Sequence, residues 1–140
     1  MTGRIPGMNT RQALSAYKQV GVQSGVTDAS PHQLISMLLD GAMDRIASAK
    51  GAMERRDTGR QGELIGKAIT IIDNLRVSLD HEQSPELAGR LSDLYEYMQG
   101  RLLEASAASD TAALTEVRDL LATIRDGWES IPAELRRPAG

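Results

Sequence analysis

Apolar residues recur at helical spacing through four long stretches of the chain, and each of the clearest stretches opens on a helix-start signal. The first signal is Ser30-Pro31-His32-Gln33: an N-cap serine, a proline at the first helical position and a glutamine at the third, which together make a capping box. Leu34, Ile35, Leu38, Ala42, Ile46, Ala49 and Met53 follow as one stripe that runs out near Asp57. A second helix is predicted over roughly Arg60 to His81, with Leu64, Ile65, Ala68, Ile69, Ile72, Leu75 and Leu79 on one side. The third opens at Ser84-Pro85 and carries Leu87, Leu91, Leu94, Tyr95, Met98, Leu102 and Ala105, close to an a/d heptad seam. Asp110 caps the fourth, where its carboxylate also suits the positive end of the helix dipole. Leu114, Val117, Leu120, Leu121, Ile124 and Trp128 follow, and the helix stops before Pro132. Pro6, Pro31, Pro85, Pro132 and Pro138 all fall at or outside these boundaries, as uninterrupted helices require.

Only a few residues separate one stretch from the next, so each helix must run antiparallel to the one before it. The pattern therefore predicts an all-α fold: an antiparallel up-down four-helix bundle over residues 30–131. Residues 1–29 are rich in Gly, Ser, Gln and Thr and carry one short apolar pattern, Ala13, Leu14, Tyr17, Val20 and Val22. They read as a flexible N-terminal arm with room for a short extra helix, and residues 132–140 as a flexible tail. Composition supports helices over sheet. The aromatic residues are Tyr17, Tyr95, Tyr97 and Trp128, with no Phe, so the core must be built from Leu, Ile, Val, Met and Ala. A chain of 140 residues fits one domain, and one without cysteine needs and has no disulfide framework.

Charge and motifs remove most chemistries. The net charge is −3 with both signs interspersed, which offers no footprint for nucleic acid; Arg55, Arg56 and Arg60, and Arg136 with Arg137, read as solvated helix ends. No stretch approaches the ~18 unbroken apolar residues of a membrane span, and Met1 to Thr10 lack the apolar run of a secretory signal, so a cytosolic protein without stable membrane insertion is expected. A di-iron bundle needs inward Glu-x-x-His motifs, and none occurs. The two histidines, His32 and His81, both fall at predicted helix ends, where they read as exposed polar residues rather than metal ligands or phosphorylation sites. The carboxylate pairs Asp40 with Asp44 and Glu63 with Glu82 lie among charges opposite the apolar stripes and read as solvated, without the desolvated setting that acid–base catalysis needs. Gly59 and Gly62 do not continue into a phosphate-binding loop. No cofactor, metal or enzymatic activity is expected.

Three features exceed what a core needs. Met37 and Leu39 flank the first stripe, Ile71 and Val77 the second, and Tyr97 and Leu103 lie off the third. Tyr97 stands about 200° around the helix from Tyr95, so one of the two must point away from the core. Gly41, Gly51, Gly66, Gly89, Gly100 and Gly127 fall inside predicted helices, each at a cost of roughly 1 kcal/mol against alanine. Met37, Met43, Met53 and Met98 stand where leucine would serve, and methionine adapts to irregular partners. Surplus apolar faces, notches and methionines together point to a bundle that grips another protein's helix.

The residues also resemble a known family, the flagellar export chaperones named FliS. The stretch from Tyr17 through Ala29-Ser30-Pro31-His32-Gln33-Leu34-Ile35-Ser36-Met37-Leu38-Leu39-Asp40-Gly41 is similar to the family's Tyr…Thr-Ala-Ser-Pro-x-x-Leu-Ile-x-Met-Leu-Tyr-Asp-Gly. Lys67-Ala68-Ile69-Thr70-Ile71-Ile72-Asp73-Asn74-Leu75, then Leu94-Tyr95-Glu96-Tyr97-Met98-Gln99-Gly100-Arg101-Leu102, then Leu114 to Trp128 follow in the family's order. Leu39 stands where the family often has Tyr, and Ser84-Pro85-Glu86 replaces a Gly-Gly-Glu stretch. The resemblance covers roughly residues 13–131. It implies a cytosolic chaperone that binds the disordered C-terminal segment of flagellin, prevents premature polymerisation and delivers flagellin to the flagellar type III export apparatus. It also implies the anti-sigma factor FlgM and export-gate components as further partners, and an arm, here Tyr17 and Val20, that covers the groove when flagellin is absent. The expected partner-binding residues are then Tyr17, Val20, Met37, Leu39, Ile71, Val77, Tyr97 and Leu103, in a monomer or weak homodimer. The alternative is a bundle adaptor or regulator for some other amphipathic helix.

Overall fold

A computed structural model describes residues 30–132, which form four α-helices and the links between them. They are α1 (Pro31–Glu54), α2 (Thr58–Val77), α3 (Pro85–Ala108) and α4 (Thr111–Glu129). Tyr17 and Val20, the arm and most of the tail lie outside the described residues.

Local chemistry sets each boundary. The Ser30 side chain accepts from the Gln33 amide at 3.1 Å, and the Gln33 side chain accepts from the Ser30 amide at 2.9 Å, which completes the capping box of α1. At the other end Arg56 takes a left-handed φ of 60°, and the Asp57 and Arg56 amides reach back to the Ala52 and Met53 carbonyls. This is a Schellman ending with arginine where glycine is usual. Asp57 then caps α2 by accepting from the Arg60 amide. The second helix ends at Val77 rather than His81. The Asp80 carboxylate accepts from the amides of Glu82 and Gln83, and that turn competes with further helix. Pro85 opens α3, but Ser84 makes no side-chain cap bond, so the proline and the preceding turn fix this start. Ser109, left-handed at φ 49°, ends α3, and Asp110 caps α4 through the Ala112 and Ala113 amides.

The helices close a ring: α1 packs on α2 and α4, and α3 packs on α2 and α4. Leu38, Leu39, Ile72, Leu75, Tyr95, Met98, Leu102 and Leu121 sit fully buried at its centre. Polar links stitch neighbouring helices. The Gln61 amide group donates to the Ser106 carbonyl, and Gln99 donates to the Ile69 carbonyl. Tyr95 is buried with no partner for its hydroxyl among the described residues, and burial pushes that phenol well above its usual pKa.

Candidate partner-binding surface

The stripes of α3 and α4 are sealed along one half and open along the other. On α3, Leu87, Leu91 and Leu94 each stand three turns before a fully buried residue: Met98, Leu102 and Ala105 respectively. They face the same side as those core residues. Yet Leu87 is 48% exposed, and Leu91 and Leu94 are only partly buried. The same holds on α4. Ile124 and Trp128 stand three turns after the fully buried Ala113 and Val117, and both are only partly covered, as is Leu120. Because α3 and α4 are antiparallel, the open start of α3 lies beside the open end of α4. Core-facing leucine and isoleucine side chains there form an apolar strip, a shallow trough, that the described residues cover only in part.

The polar links of α4 change partner along its length. In its first half α4 is latched to α3: Glu116 accepts from the Tyr97 hydroxyl, and from Arg101 Nε at 2.8 Å. These donors hold the Glu116 carboxyl below the usual range, the Tyr97 bond contributing most, and the same bond raises the Tyr97 phenol. In its second half α4 is linked to α1 instead. Arg125 pairs with Asp40, and Ser36 donates to Glu129. The His32 and Trp128 rings stack with centroids 4.6 Å apart. The side-chain links of α4 thus run to α3 in its first half and to α1 in its second.

A concavity of about 500 Å³ lies between α1 and α2 and is lined by Arg45, Gly62, Glu63, Gly66, Lys67, Thr70 and Ile71. Its lining mixes the charged Arg45, Glu63 and Lys67 with Gly62, Gly66, Thr70 and Ile71, and the carboxylate of Glu63 is taken up by Arg60 at 2.8 Å and Lys67 at 3.9 Å.

The residues singled out from sequence divide sharply. Val77 (45% exposed), Tyr97 (47%) and Leu103 (62%) are on the surface, and Tyr95 is the tyrosine that points inward. Met37 is partly buried against the core. Leu39 and Ile71 are buried, at 0% and 1% exposure, so the outward role expected of them is corrected. The reason is that the α1–α2 seam is apolar over a wider arc than one stripe: Ile71 Cδ1 comes within 3.7 Å of where a side chain on Gly41 would begin. His32 is a second correction. It is 3% exposed and stacked, not a solvated residue near a cap, because its partner lies 96 residues away where no local pattern can reveal it. Asp40 is a third: it is paired with Arg125 on α4 rather than simply solvated. Leu91, Leu94, Leu120, Ile124 and Trp128, read from sequence as core, pack against it and are partly buried, Trp128 on the α1 side, whereas Leu87 is 48% exposed. The one hint was position: Leu87 follows Pro85 at the very start of its helix, where a bundle end is reached. Of the glycines inside helices, a side chain added at Gly66, Gly89, Gly100 or Gly127 would meet no atom within 4 Å, so no contact among the described residues demands them.

Among the described residues no group of three or more His, Cys, Asp or Glu could hold a metal, and no helix is long and apolar enough to cross a membrane. The family profile described as "Flagellar protein FliS" matches residues 13–135. The chain is 48% identical over 124 residues to the "Flagellar secretion chaperone FliSB" of Pseudomonas aeruginosa, covering 89% of this chain and 98% of that one. It is 46% identical to the "Flagellar secretion chaperone FliS" of Salmonella typhimurium, covering 89% and 93% of the two chains. It is 35% identical to that of Bacillus subtilis, with 87% of each covered. These chaperones are not enzymes, and the chain belongs to the FliS family of flagellar secretion chaperones.

Proposed function

We propose that this protein is a cytosolic export chaperone for flagellin, which seats flagellin's C-terminal segment as a helix in the trough between α3 and α4. The observation that supports it most is the unsealed half of two core-facing stripes: Leu87, Leu91 and Leu94 across from Leu120 and Ile124. An amphipathic helix laid between them supplies the missing apolar layer. A segment that is disordered when free loses conformational entropy on ordering, so it binds only where enough apolar surface is covered to offset that loss. Covering the segment keeps it from other flagellin molecules and so prevents premature polymerisation. No covalent step is needed for release: the type III export apparatus has only to compete for the segment or for the chaperone. Val77, at the same end of the bundle as the start of α3, and the surface residues Tyr97 and Leu103 extend the apolar area available to the partner. Tyr17, Val20 and Met37, and the partners FlgM and the export gate, belong to the same proposal.

The test is calorimetric titration of the purified chain with full-length flagellin and with flagellin lacking its C-terminal segment. The expected result is a one-to-one complex with the first and none with the second. Equal binding to both, or to neither, contradicts the proposal; binding to an unrelated amphipathic helix with the same affinity as flagellin would make the protein a general adaptor.

A further inference from the structure

His32 stands in the first turn of α1 and Trp128, the chain's one tryptophan, in the last turn of α4. Two hydrogen bonds and a stack join them. His32 Nε2 lies 2.8 Å from the Trp128 carbonyl oxygen, which can only accept, so the ring carries its proton on Nε2. The indole N–H in turn donates to the His32 carbonyl at 2.9 Å. The ring planes are within 7° of parallel. The seam continues along α1 at one-turn intervals, with Ser36 bonded to Glu129 and Asp40 paired with Arg125. A helix end needs no such reciprocal clasp to be capped; Ser130 and Ile131 already close α4 through the Asp126 and Trp128 carbonyls.

We infer that the His32–Trp128 clasp, with the Asp40–Arg125 pair behind it, holds the last turns of α4 against α1 and so sets the width of the trough, which makes His32 a positioning residue for partner binding. At 3% exposure His32 cannot itself touch a partner. Its effect runs through α4. Released from α1, the end of α4 is free to swing toward the start of α3, where Leu120 and Ile124 would cover Leu87 and Leu91. Apolar burial favours that closure. A closed trough is not competent to bind, and apparent affinity falls with the fraction of chains left open. The inference rests on the reading of the trough as flagellin's seat.

The experiment compares flagellin binding by the unaltered chain, by His32→Leu, by Asp40→Arg and Arg125→Asp singly, and by the double reversal. All are measured at a temperature where circular dichroism shows each variant folded. His32→Leu and either single reversal should weaken binding roughly tenfold, within the range of coupling energies between contacting groups. The double reversal, which restores the pair with its charges exchanged, should recover most of the affinity. Trp128 fluorescence of the free chain should shift in the weakened variants and return in the double reversal. A double reversal that binds no better than the single ones overturns the inference, as does a His32→Leu chain with a lowered Tm and unchanged Kd, since a merely structural clasp gives that pattern. If His32→Leu does not fold, the Asp40 and Arg125 variants decide alone, because those side chains are 47% and 38% exposed. Loss of flagellin binding by the unaltered chain removes the trough reading and the inference with it. Equal binding by every variant removes the inference and leaves the trough reading standing.

Discussion

The α1–α2 hairpin and the α3–α4 hairpin are assembled from the same parts, yet they are finished differently. Half of α1 is buried, twelve of its 24 residues, and eight of the 20 in α2. In α3 the figure is five of 24 and in α4 four of 19. Charge divides the same way. From Pro31 to Val77 seven lysines and arginines meet six acids, whereas from Pro85 to Glu129 four arginines meet nine acids. The concavity on the first hairpin mixes Arg45, Glu63 and Lys67 with Gly66, Thr70 and Ile71, and the partly covered strip on the second is leucine and isoleucine. One hairpin supplies the scaffold. The other keeps a face open. The stripes are alike; what differs is that the side-chain links of α4 pass from α3 in its first half to α1 in its second, and the apolar residues beside the start of α3 are only partly covered.

Core truncation should separate the hairpins most. Leu38→Ala, at a fully buried position of α1, is expected to cost about 2–5 kcal/mol. Leu87→Ala at the trough should cost below about 1 kcal/mol, because 48% of that residue is already in water. Urea unfolding measures both, and equal losses would erase the distinction. Next comes Tyr95→Phe. Removing a buried hydroxyl that has no partner should raise stability by about 1 kcal/mol; a loss would show that the hydroxyl is satisfied. Gly66→Ala should add somewhat under about 1 kcal/mol, since a Cβ there meets nothing and alanine is the better helix former. A fall in Tm would mean the position is not open.

The smallest effect concerns the exposed latch between α3 and α4. The Glu116 carboxyl is depressed by Tyr97 and Arg101. Its contribution is therefore complete above the ordinary carboxylate value of about 4.3 and is lost as pH falls through the lowered folded value. The Tyr97 phenol is raised, so its share is complete below its ordinary value near 10 and is lost as pH rises through the higher folded value. Both groups are solvent-exposed, so screening keeps the effect small and salt should shrink it further. Glu116→Gln should flatten the acid limb of the stability–pH curve slightly; a steeper limb would contradict the latch.

The helices themselves were readable because their signals are local. Ser30 with Pro31 and Gln33, Pro85 and Asp110 mark starts by chemistry that acts within one turn. The second helix was read as too long because Leu79 continues the apolar stripe, while the Asp80 turn that ends it is not a periodicity signal. Stripes also told which side of α3 faces inward, and the placing of Tyr95 inside and Tyr97 outside follows from their angular separation. Whether that inward side is covered depends on how neighbouring helices tilt, so Leu87 and Ile124 read as ordinary core. Leu39 and Ile71 erred in the opposite direction, because the α1–α2 seam is broader than one stripe. The His32–Trp128 pair joins the two ends of the described chain, and nothing in either neighbourhood hints at the other.

The central claim is that the partner sits where the second hairpin is unsealed. Hydrogen–deuterium exchange of the chain, alone and saturated with flagellin, tests it at the level of segments. The expected result is strong new protection over residues 85–94 and 120–128 with little change through the centre of α1. Protection confined to the α1–α2 hairpin, with the trough segments exchanging as in the free chain, would contradict it.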